Sequence, residues 1–540
     1  MEVGPLVILG TAQFLMVLDS SVMNVAISTL VEDFDTTVTQ IQAVITLYSL
    51  VMAALLLTGA KLGDIFGSRR ILAIGMVIYA SGSALTAVSW SVPSLTFGWS
   101  ILEGIGAALV LLALVATNFE KEQRVDAYAI IGAMAGIGIA VGPILGGWVT
   151  TEMCWRVVFV GEVVLSLAIL FSLGRLKKDE PVENRPSLDW VGSILSATGV
   201  GLVVYGILKA TEWGWITPSN SPIEPLGLSL TPVMVAIGLI VLSAFWRWEQ
   251  WLESQGKSTL VQTRLFSIPA LRSGLETTLG QTLILASIFF TIPLYLQVVQ
   301  GLDALDTGIR MLPVSIAMFI TSIVGARLAT RFSPRLLVRS GLGFLVLGVV
   351  VLLGTLEPDL DSFTFGLAMA LLGVGIGLMV SQLANVVQSS VGEAEQSEGG
   401  GLLNTASQFG SALGVAFIGA ITISILSSAF LADIAEDQRL PANLREEIAL
   451  EIRGEVSFVP SAAVEAGATE AGLEIEEVQA LVEGYEDSQI EALQTAVVAV
   501  AGVILLTFLM TGGLPSQVAG SAGQTALGRP EEIEPSKGSL

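Results

Sequence analysis

The sequence consists largely of apolar stretches of about 20 residues, separated by short polar or charged segments. Each stretch is long enough to cross the hydrocarbon core of a bilayer as an α-helix, which rises about 1.5 Å per residue. Only 14% of the 540 residues are charged, against about 25% in ordinary soluble domains. The chain is therefore predicted to be an all-α membrane protein, and soluble enzymes and nucleic-acid-binding proteins are excluded.

Apolar stretches between charged breaks predict fourteen spans, which we number 1 to 14 in chain order. Span 1 carries Asp19 and lacks a basic leading segment, so it is interpreted as membrane-embedded and not as a cleaved signal peptide. The predicted ranges are 5–27, 41–60, 71–90, 94–118, 127–149, 156–173, 189–208, 226–246, 272–296, 307–326, 335–355, 362–387, 400–427 and 492–512.

Lysine and arginine residues predict the orientation. With the N-terminus inside, the inside loops and the C-terminal tail hold most of the 25 basic residues, so both termini are predicted to be cytoplasmic. One inside loop carries Glu393, Glu395 and Glu398 without a base, but acidic residues contribute little to this rule. We call the face where span 1 begins the proximal face, and the other the distal face.

The net charge is −23, with no histidine and a single cysteine, Cys154. One cysteine excludes an internal disulfide framework, and the usual zinc and non-haem iron ligand sets need histidine or several cysteines. No GxxxxGK[ST] sequence is present, which argues against an ATP-driven pump. We predict no metal and no cofactor.

Glycine-containing patterns recur along the chain with offsets of 266, 269 and 268 residues. They predict two parallel six-helix halves, 1–174 and 272–512, separated by spans 7 and 8 with their linkers in 175–271, and followed by a disordered tail, 513–540. Parallel repeats that meet at a midplane site are typical of alternating-access transporters. The recurring patterns are Gly59-Ala60-Lys61-Leu62 with Gly325-Ala326-Arg327-Leu328, Gly104-Ile105-Gly106 with Gly373-Val374-Gly375, and Gly142-x-x-Leu145-Gly146 with Gly410-x-x-Leu413-Gly414.

Four further segments have motif-like patterns. Small residues four apart in span 5 allow close helix packing, and Pro143 bends that helix. Acidic and basic residues between spans 2 and 3 can pair or cap helix ends and so latch one conformation. The segments are Leu18-Asp19-Ser20-Ser21-Val22-Met23-Asn24 in span 1; Gly59, Gly63, Asp64, Gly67, Arg69 and Arg70 after span 2; Gly138, Gly142, Pro143, Gly146 and Gly147 in span 5; and Trp155-Arg156 at the start of span 6.

Together these segments resemble the major facilitator superfamily, and within it the fourteen-span drug:proton antiporters of the multidrug efflux type. The resemblance implies two six-helix repeats plus two inserted helices, a latch at the loop after span 2, an antiporter element in span 5, and export driven by the proton gradient. The chain departs from the family pattern in span 4, where Ser100 and Glu103 replace an arginine and a glutamine.

Ionisable residues inside spans are costly and are functional candidates by default. Asp19, Glu103, Glu162 and Glu276 are therefore candidates for proton coupling, since burial disfavours the charged form of a carboxyl group and lets it exchange protons near neutral pH. Each also has a structural alternative. Asp19 and Glu103 can serve as hydrogen-bond partners, whereas Glu162 and Glu276 can be solvated near an interface.

Polar and aromatic side chains in the spans are candidates for an adaptable substrate pocket, with packing or lipid contact as the alternative for the aromatic ones. A separate feature is the loop 428–491, which holds sixteen acidic residues and three arginines. It is predicted to form short amphipathic helices that either attract cationic substrates or simply cap the bundle. The pocket candidates are Asn24, Gln281, Phe289, Tyr295, Gln297, Asn404 and Gln408.

These observations predict a monomeric, multi-pass secondary exporter in a prokaryotic cell membrane. Its partners would be protons, the lipid bilayer and a small amphipathic substrate of cationic character. A transporter of the same fold for a metabolite, lipid or siderophore is the alternative within the class. A channel or a membrane sensor is the alternative outside it.

Overall fold

The computed structural model describes residues 3–110, 134, 137–138, 141–176, 187–357, 360–392, 395–451, 456 and 458–517. Within these residues the regular structure is helical throughout, and twelve helices are long and apolar enough to cross a membrane. They correspond to predicted spans 1–3 and 6–14. In that order they are Val3–Val25, Val38–Phe66, Ser68–Ala87, Arg156–Ser172, Trp190–Leu208, Leu230–Ser254, Pro269–Leu294, Ala304–Leu328, Pro334–Leu353, Ser362–Ser389, Gln396–Glu436 and Ile475–Met510.

Predicted spans 4 and 5 reach into residues 111–140, most of which lie outside the described part of the chain. Span 4 begins with the short helix Val92–Leu95, continues as a π-helix over Thr96–Glu103 and returns to an α-helix over Gly104–Val110. Residues 141–152 of span 5 are helical. The count of fourteen spans and the orientation of the termini stay predictions.

Shorter elements connect the spans. Polar caps begin several of the long helices, since the side chains of Thr37, Asp303, Ser333 and Asp361 each accept a backbone N–H from the first turn. The short elements are the α-helices Ile27–Asp33, Ala210–Trp213, Ala442–Glu451 and Ser461–Glu470, a second π-helix Tyr295–Val299, and the 3₁₀ segments Leu173–Arg175, Pro225–Gly227, Thr263–Ser267 and Thr511–Gly513.

The repeated glycines have the same helix partners in both halves. A Cβ on Gly106 would lie 2.6 Å from the backbone nitrogen of Tyr79 in span 3, and a Cβ on Gly375 would lie 2.6 Å from the carbonyl oxygen of Gly341 in span 11. Real Cβ atoms do not approach backbone this closely, so only glycine allows these helices to meet at that distance. The repeated glycines therefore correspond to the same close helix packing in both halves.

The inserted spans 7 and 8 pack on each other, and span 7 also packs on spans 2 and 13, where the two halves meet. The linker from span 8 to span 9 joins the start of span 13 on the same face: Arg264 pairs with Glu395 at 2.7 Å, and the Gln262 side chain donates to Glu398 at 2.6 Å. These contacts give two of the three acids in the base-free loop cationic or amide partners.

The acidic segment 428–491 is built on its two neighbouring spans. Span 13 continues as helix to Glu436, and the span 14 helix begins at Ile475, so both project beyond the predicted apolar stretches. Tyr485 is buried against Phe430, and its hydroxyl accepts from the backbone nitrogen of Val459 at 2.9 Å. The segment is thus a folded cap with apolar contacts of its own, in the part that the structure describes.

Charge on the surface of this cap is partly paired. Arg439 contacts Asp437 at 2.8 Å and Glu483 at 2.6 Å. The hydrogen bond from the Arg439 side chain lowers the pKa of Asp437 below its usual value. Beyond span 14, Leu514 is fully buried and its carbonyl accepts from Arg335 at 2.8 Å, so the tail segment predicted to be disordered starts with packed residues. Residues 518–540 lie outside the described part.

Candidate functional site

A cavity of about 180 Å³ lies between the two halves of the bundle. Spans 1, 2 and 4 contribute one wall, and spans 9 and 13 contribute the other. Among the lining residues that the structure describes there is no Asp, Glu, Lys or Arg. The polar lining residues carry hydroxyl or amide groups, or the indole of Trp99; they are Gln13, Ser20, Ser21, Asn24, Tyr48, Ser49, Trp99, Thr282, Ser407, Gln408 and Ser411.

Contacts between the halves bound this cavity. The hydroxyls of Ser49 and Ser411 lie 3.4 Å apart at the cavity itself. Towards the distal face, the Gln42 amide donates to the carbonyl of Val415 at 3.0 Å, and a Cβ on Gly419 would overlap the Gln42 side chain. The halves are therefore in direct contact on the distal side of the cavity.

Trp99 and Tyr48 separate the cavity from a buried acidic group. Their rings stack with centroids 4.5 Å apart and planes 7° apart, and both line the cavity. On its other side the Trp99 indole Nε1 donates to Asp19 Oδ1 at 2.7 Å. Asp19 is completely buried, and its second oxygen has no hydrogen-bond partner. The carboxyl group thus lies behind the aromatic wall and not on the cavity.

Glu103 and Glu162 lie next to Asp19. Glu103 accepts from the Thr86 hydroxyl at 3.0 Å, and Glu162 accepts from the hydroxyls of Tyr79 at 3.2 Å and Ser83 at 3.3 Å. Both side chains are buried, and each keeps one oxygen without a partner. Spans 1, 4 and 6 therefore each supply one acid, and span 3 supplies all three of these hydroxyl donors.

One oxygen from each of these three acids lies within 4.8 Å of the others, and we call the three residues the carboxyl cluster. Two ionised carboxylates at that separation repel by about 3 kcal/mol at an effective dielectric constant of 20. Three buried carboxylates can reduce that repulsion by holding protons. Oxygen ligands of this kind also suit Mg²⁺ or Ca²⁺, but such ions need about six ligands, and the neighbouring hydroxyls and indole act here as donors to the carboxylates.

Comparison with known proteins identifies the family to which this chain belongs. A sequence profile described as Major Facilitator Superfamily matches residues 9–415, which is well over half of the chain. The chain belongs to the major facilitator superfamily. It is a multi-pass membrane transporter of that family.

Relatives of this transporter carry names of antibiotic export and drug resistance. The puromycin resistance protein pur8 of Streptomyces alboniger is 31% identical over 79% of this chain and 83% of its own length. A probable actinorhodin transporter of Streptomyces coelicolor is 28% identical over 79% of this chain and 73% of its own length. The multidrug resistance protein Stp of Mycobacterium tuberculosis is 26% identical over 78% and 76% of the two chains.

Solved structures agree on the fold. A bacterial homologue of the human lysosomal transporter Spinster, in an inward-facing unoccupied conformation, aligns with a TM-score of 0.58 at 15% identity over 94% of this chain and 97% of that one. A D-xylose–proton symporter aligns with a TM-score of 0.54 at 11% identity over 77% and 90% of the two chains. At these identities the likeness concerns the fold alone.

The predicted antiporter element in span 5 packs against span 1 and against the other half. A Cβ on Gly142 would lie 2.3 Å from the Cβ of Ser21, and Cβ atoms on Gly138 and Gly146 would meet Val17 and Val22. On its far side, a Cβ on Gly147 would lie 2.3 Å from the carbonyl oxygen of Ala304 in span 10, and Gly308 of span 10 lies against Pro143. The element thus connects the cavity-lining span 1 to the second half.

The predicted latch residues form the turn between spans 2 and 3. Gly67 has φ of 96°, a left-handed conformation that side chains disfavour, and it separates the two helices. Arg69 donates to the carbonyl of Leu176 at the end of span 6 at 3.3 Å. Asp64 is exposed, and Gly59 and Gly63 are buried. Next to Gly59, Ala60 lies beside Gly401 of span 13, so this turn approaches the second half.

The structure brings together three of the four candidate acids and leaves one apart. Glu276 is 42% exposed and pairs with Arg272 one turn earlier at 3.5 Å. It lies near the proximal end of span 9, where solvent reaches it, and it is not part of the carboxyl cluster. Its environment corresponds to the solvated alternative.

Three of the seven pocket candidates, Asn24, Phe289 and Gln408, line the cavity. The other four, Gln281, Asn404, Tyr295 and Gln297, do not. Tyr295 donates to the carbonyl of Glu357 at 2.7 Å near the distal face. Gln297 bridges the halves, since it accepts from the Ser28 hydroxyl at 2.6 Å and donates to the Val25 carbonyl at 2.6 Å.

Sequence reasoning missed Trp99 and Tyr48, the pair between the cavity and the carboxyl cluster. Aromatic residues in an apolar span carry little information on their own. A signal was nevertheless present for Trp99, because it immediately precedes Ser100 and lies four residues before Glu103, both of which depart from the family pattern. Residues four apart on a helix face the same side.

Proposed function

We propose that this transporter exports amphipathic, positively charged drug-like compounds in exchange for protons, by alternating access of the cavity to the two membrane faces. The observation that carries the proposal is the cavity between the halves, backed by three buried carboxyl groups that lie within 4.8 Å of one another. The relatives named for antibiotic transport and drug resistance support drug-like compounds as substrates.

The lining of the cavity supports an amphipathic ligand. Apolar side chains such as Met52, Leu285 and Phe289 offer adaptable contact surface, while hydroxyls and amides offer hydrogen bonds without a fixed charge. A cationic group is attracted to the faces of Trp and Tyr rings, and the negative charge of Asp19 behind Trp99 strengthens that attraction. Protonation of the carboxyl cluster weakens it.

This supports an exchange cycle. A ligand enters from the cytoplasm when the cluster has lost a proton, and it leaves at the external face when the cluster regains one. Proton entry down its gradient then drives the ligand outwards. The relatives named above are bacterial, which supports a bacterial cell membrane as the location, and we propose that the monomer is the working unit.

The test is transport by the full chain in proteoliposomes with an imposed pH gradient. Ethidium and puromycin serve as probes, and internal pH is recorded alongside probe flux. We expect gradient-driven accumulation of at least one probe, with protons moving in the opposite direction. The triple variant Asp19→Asn, Glu103→Gln, Glu162→Gln is expected to lose gradient-driven accumulation at least tenfold.

Glu276→Gln is the matched control, because it removes a carboxylate from a span outside the carboxyl cluster. It should keep at least half of the wild-type flux. If the triple variant accumulates probe like the wild type, the cluster does not carry the protons. Wild-type flux that follows the probe gradient alone, with no response to pH, contradicts proton exchange altogether.

A further inference from the structure

We infer that Trp99 is the positioning residue that transmits the protonation state of the carboxyl cluster to the ligand in the cavity. The inference deepens the proposed function and rests on it. Trp99 contacts both sites: its indole nitrogen donates to Asp19 at 2.7 Å, and its ring lines the cavity. Its stacking partner Tyr48 also lines the cavity and lies beside Asp19.

Direct competition between proton and ligand needs a carboxylate on the cavity wall. Among the described residues that line the cavity none is acidic, and all three members of the cluster are buried. A ligand in the cavity therefore contacts Trp99 and Tyr48, whereas Asp19 lies behind them. The protonation state reaches it through this aromatic pair or through the electric field across it.

The hydrogen bond from the indole depends on the charge of its acceptor. A bond to an ionised carboxylate is roughly twice as strong as one to a neutral acceptor. The difference corresponds to about a five- to tenfold change in an equilibrium constant. When Asp19 takes up a proton, the indole is held less firmly, and the stacked Tyr48 loses part of its support.

Every span packed around Asp19 contributes groups that influence this step. Tyr48 faces it from span 2, Tyr79 from span 3, Glu103 from span 4 and Glu162 from span 6. The two further acids allow a proton to be shared within the cluster. Of the three acids, Asp19 is the one to which the Trp99 indole donates its hydrogen bond. The strength of that bond therefore depends on whether Asp19 carries the shared proton.

The backbone around Trp99 is packed too closely to absorb the change. A Cβ on Gly98 would lie 3.0 Å from the backbone nitrogen of Thr86, and a Cβ on Gly82 would lie 2.7 Å from that of Glu103. Spans 3 and 4 are thus in backbone contact both before and after Trp99 in the chain, at Gly98 and at Glu103. Protonation of Asp19 is therefore expected to move the side chain of Trp99, which forms part of the cavity wall.

Trp99→Phe tests the inference, because phenylalanine keeps an aromatic ring but removes the N–H donor. In detergent, wild-type affinity for ethidium or puromycin should fall about five- to tenfold between pH 8.5 and 5.5. The variant should still bind, and its change in affinity over that range should be about threefold smaller than that of the wild type, because only the electric field of Asp19 still acts on the ligand. In proteoliposomes it should exchange probe down its gradient but accumulate it at least tenfold less under a pH gradient.

Trp155→Phe is the matched control, because Trp155 also donates its indole N–H to a carboxylate, Asp33, at 3.1 Å and outside the cluster. It should keep the wild-type pH dependence. Asp19→Asn retains an acceptor oxygen for the indole but no charge, so it should bind at both pH values with the affinity that the wild type has at pH 5.5. A merely structural role of Trp99 would not produce that match.

A measurement without ligand covers the case in which neither probe binds. Spin labels on Glu32→Cys and Ser428→Cys, in a Cys154→Ser background, report the separation of the two halves on the distal side. We expect a pH-dependent distance distribution that Trp99→Phe abolishes and Trp155→Phe retains. A wild-type distribution that does not respond to pH overturns the inference.

The possible failures differ from one another. If the wild type accumulates probe under a pH gradient and Trp99→Phe does so equally, with the same pH dependence of affinity, the inference falls and the proposed function stands. If the wild type shows no response to the pH gradient, both fall.

Discussion

Glu103 in span 4 and Leu372 in span 12 occupy matching positions, one residue before the repeated glycines Gly104 and Gly373. Both side chains are completely buried and both press against a glycine of the preceding helix: a Cβ on Gly82 would lie 2.6 Å from Glu103 Cγ, and a Cβ on Gly348 would lie 2.9 Å from Leu372 Cγ. The two halves therefore build the same socket, and only the first half fills it with a carboxyl group.

The side chains around the socket are likewise polar in the first half and apolar in the second. Thr86 donates to Glu103 at 3.0 Å in the first half, and the residue 266 positions later, Leu352, is a buried apolar residue in the second. Close packing is thus common to both halves, whereas ionisable chemistry belongs to one. The repeat supplies the scaffold, and a few substitutions on it supply the proposed proton carrier.

The largest expected effect comes from exchanging the residue types that fill the two sockets, Glu103 and Leu372. Leu372→Glu places a carboxyl group among apolar side chains with no donor in the matching position, and it should destabilise the fold by about 3 kcal/mol or more. Glu103→Leu should leave a folded protein, since the single hydroxyl proton of Thr86 can then be donated to the Gly82 carbonyl, 2.9 Å away. Folded, monodisperse yield and thermal unfolding in detergent measure both. Equal loss in the two variants would mean that Glu103 is required for folding.

A smaller effect is expected from the glycines that face the sockets. Gly82→Ala should cost about 2 kcal/mol, because its Cβ would meet backbone atoms of Glu103 and Gly98 at 2.7 Å. Gly348→Ala should cost less, about 1 kcal/mol, because its nearest contacts at 2.9 Å are with the Leu372 side chain and the nearest backbone atom, the Leu372 nitrogen, is 3.0 Å away and not 2.7 Å.

Gly343→Ala in span 11 is the control for these substitutions, because a Cβ there meets nothing within 4 Å. It should be neutral or slightly stabilising, since alanine favours helix. Thermal unfolding of the three variants side by side makes the comparison. A ranking in which Gly343→Ala is the most damaging would contradict the socket description.

The smallest effect is expected from Thr86→Val, which keeps the side-chain shape and removes the hydroxyl donor. The loss of the bond to Glu103 should lower stability by about 1 kcal/mol. In a Glu103→Leu background the same substitution should cost less, because it then removes only the bond to the Gly82 carbonyl, and a double-mutant cycle measures the difference. Independent, additive costs would show that the two side chains do not interact.

The spans were predictable from the sequence because an apolar stretch of sufficient length has few alternatives in a bilayer. All twelve membrane-spanning helices in the described residues correspond to predicted spans. Their length was less predictable, since the span 13 helix runs over 41 residues, from Gln396 to Glu436. Polar sequence beyond the membrane gives no sign of whether a helix stops or continues into a cap.

The candidate site was predictable only in part, for physical reasons. Asp19, Glu103 and Glu162 each stood out as a charge in an apolar span, but their meeting depends on how spans 1, 4 and 6 pack. Glu276 stood out by the same rule, yet its position near a helix end leaves it solvated. Trp99 and Tyr48 have no such signature, because aromatic residues suit packing, lipid contact and ligand contact equally.

The wide turn over Thr96–Glu103 sets how strictly the length of span 4 must be kept. In it the backbone N–H of Gly104 reaches back five residues to the Trp99 carbonyl instead of four. A residue deleted from the ordinary helix that follows, Gly104–Val110, would rotate everything beyond it by about 100° relative to Trp99 and Glu103. A residue deleted inside the wide turn would restore ordinary helix with much less rotation, because the five-residue hydrogen bond already accommodates one extra residue. The length of span 4 is therefore expected to tolerate a change inside this turn better than a change after it.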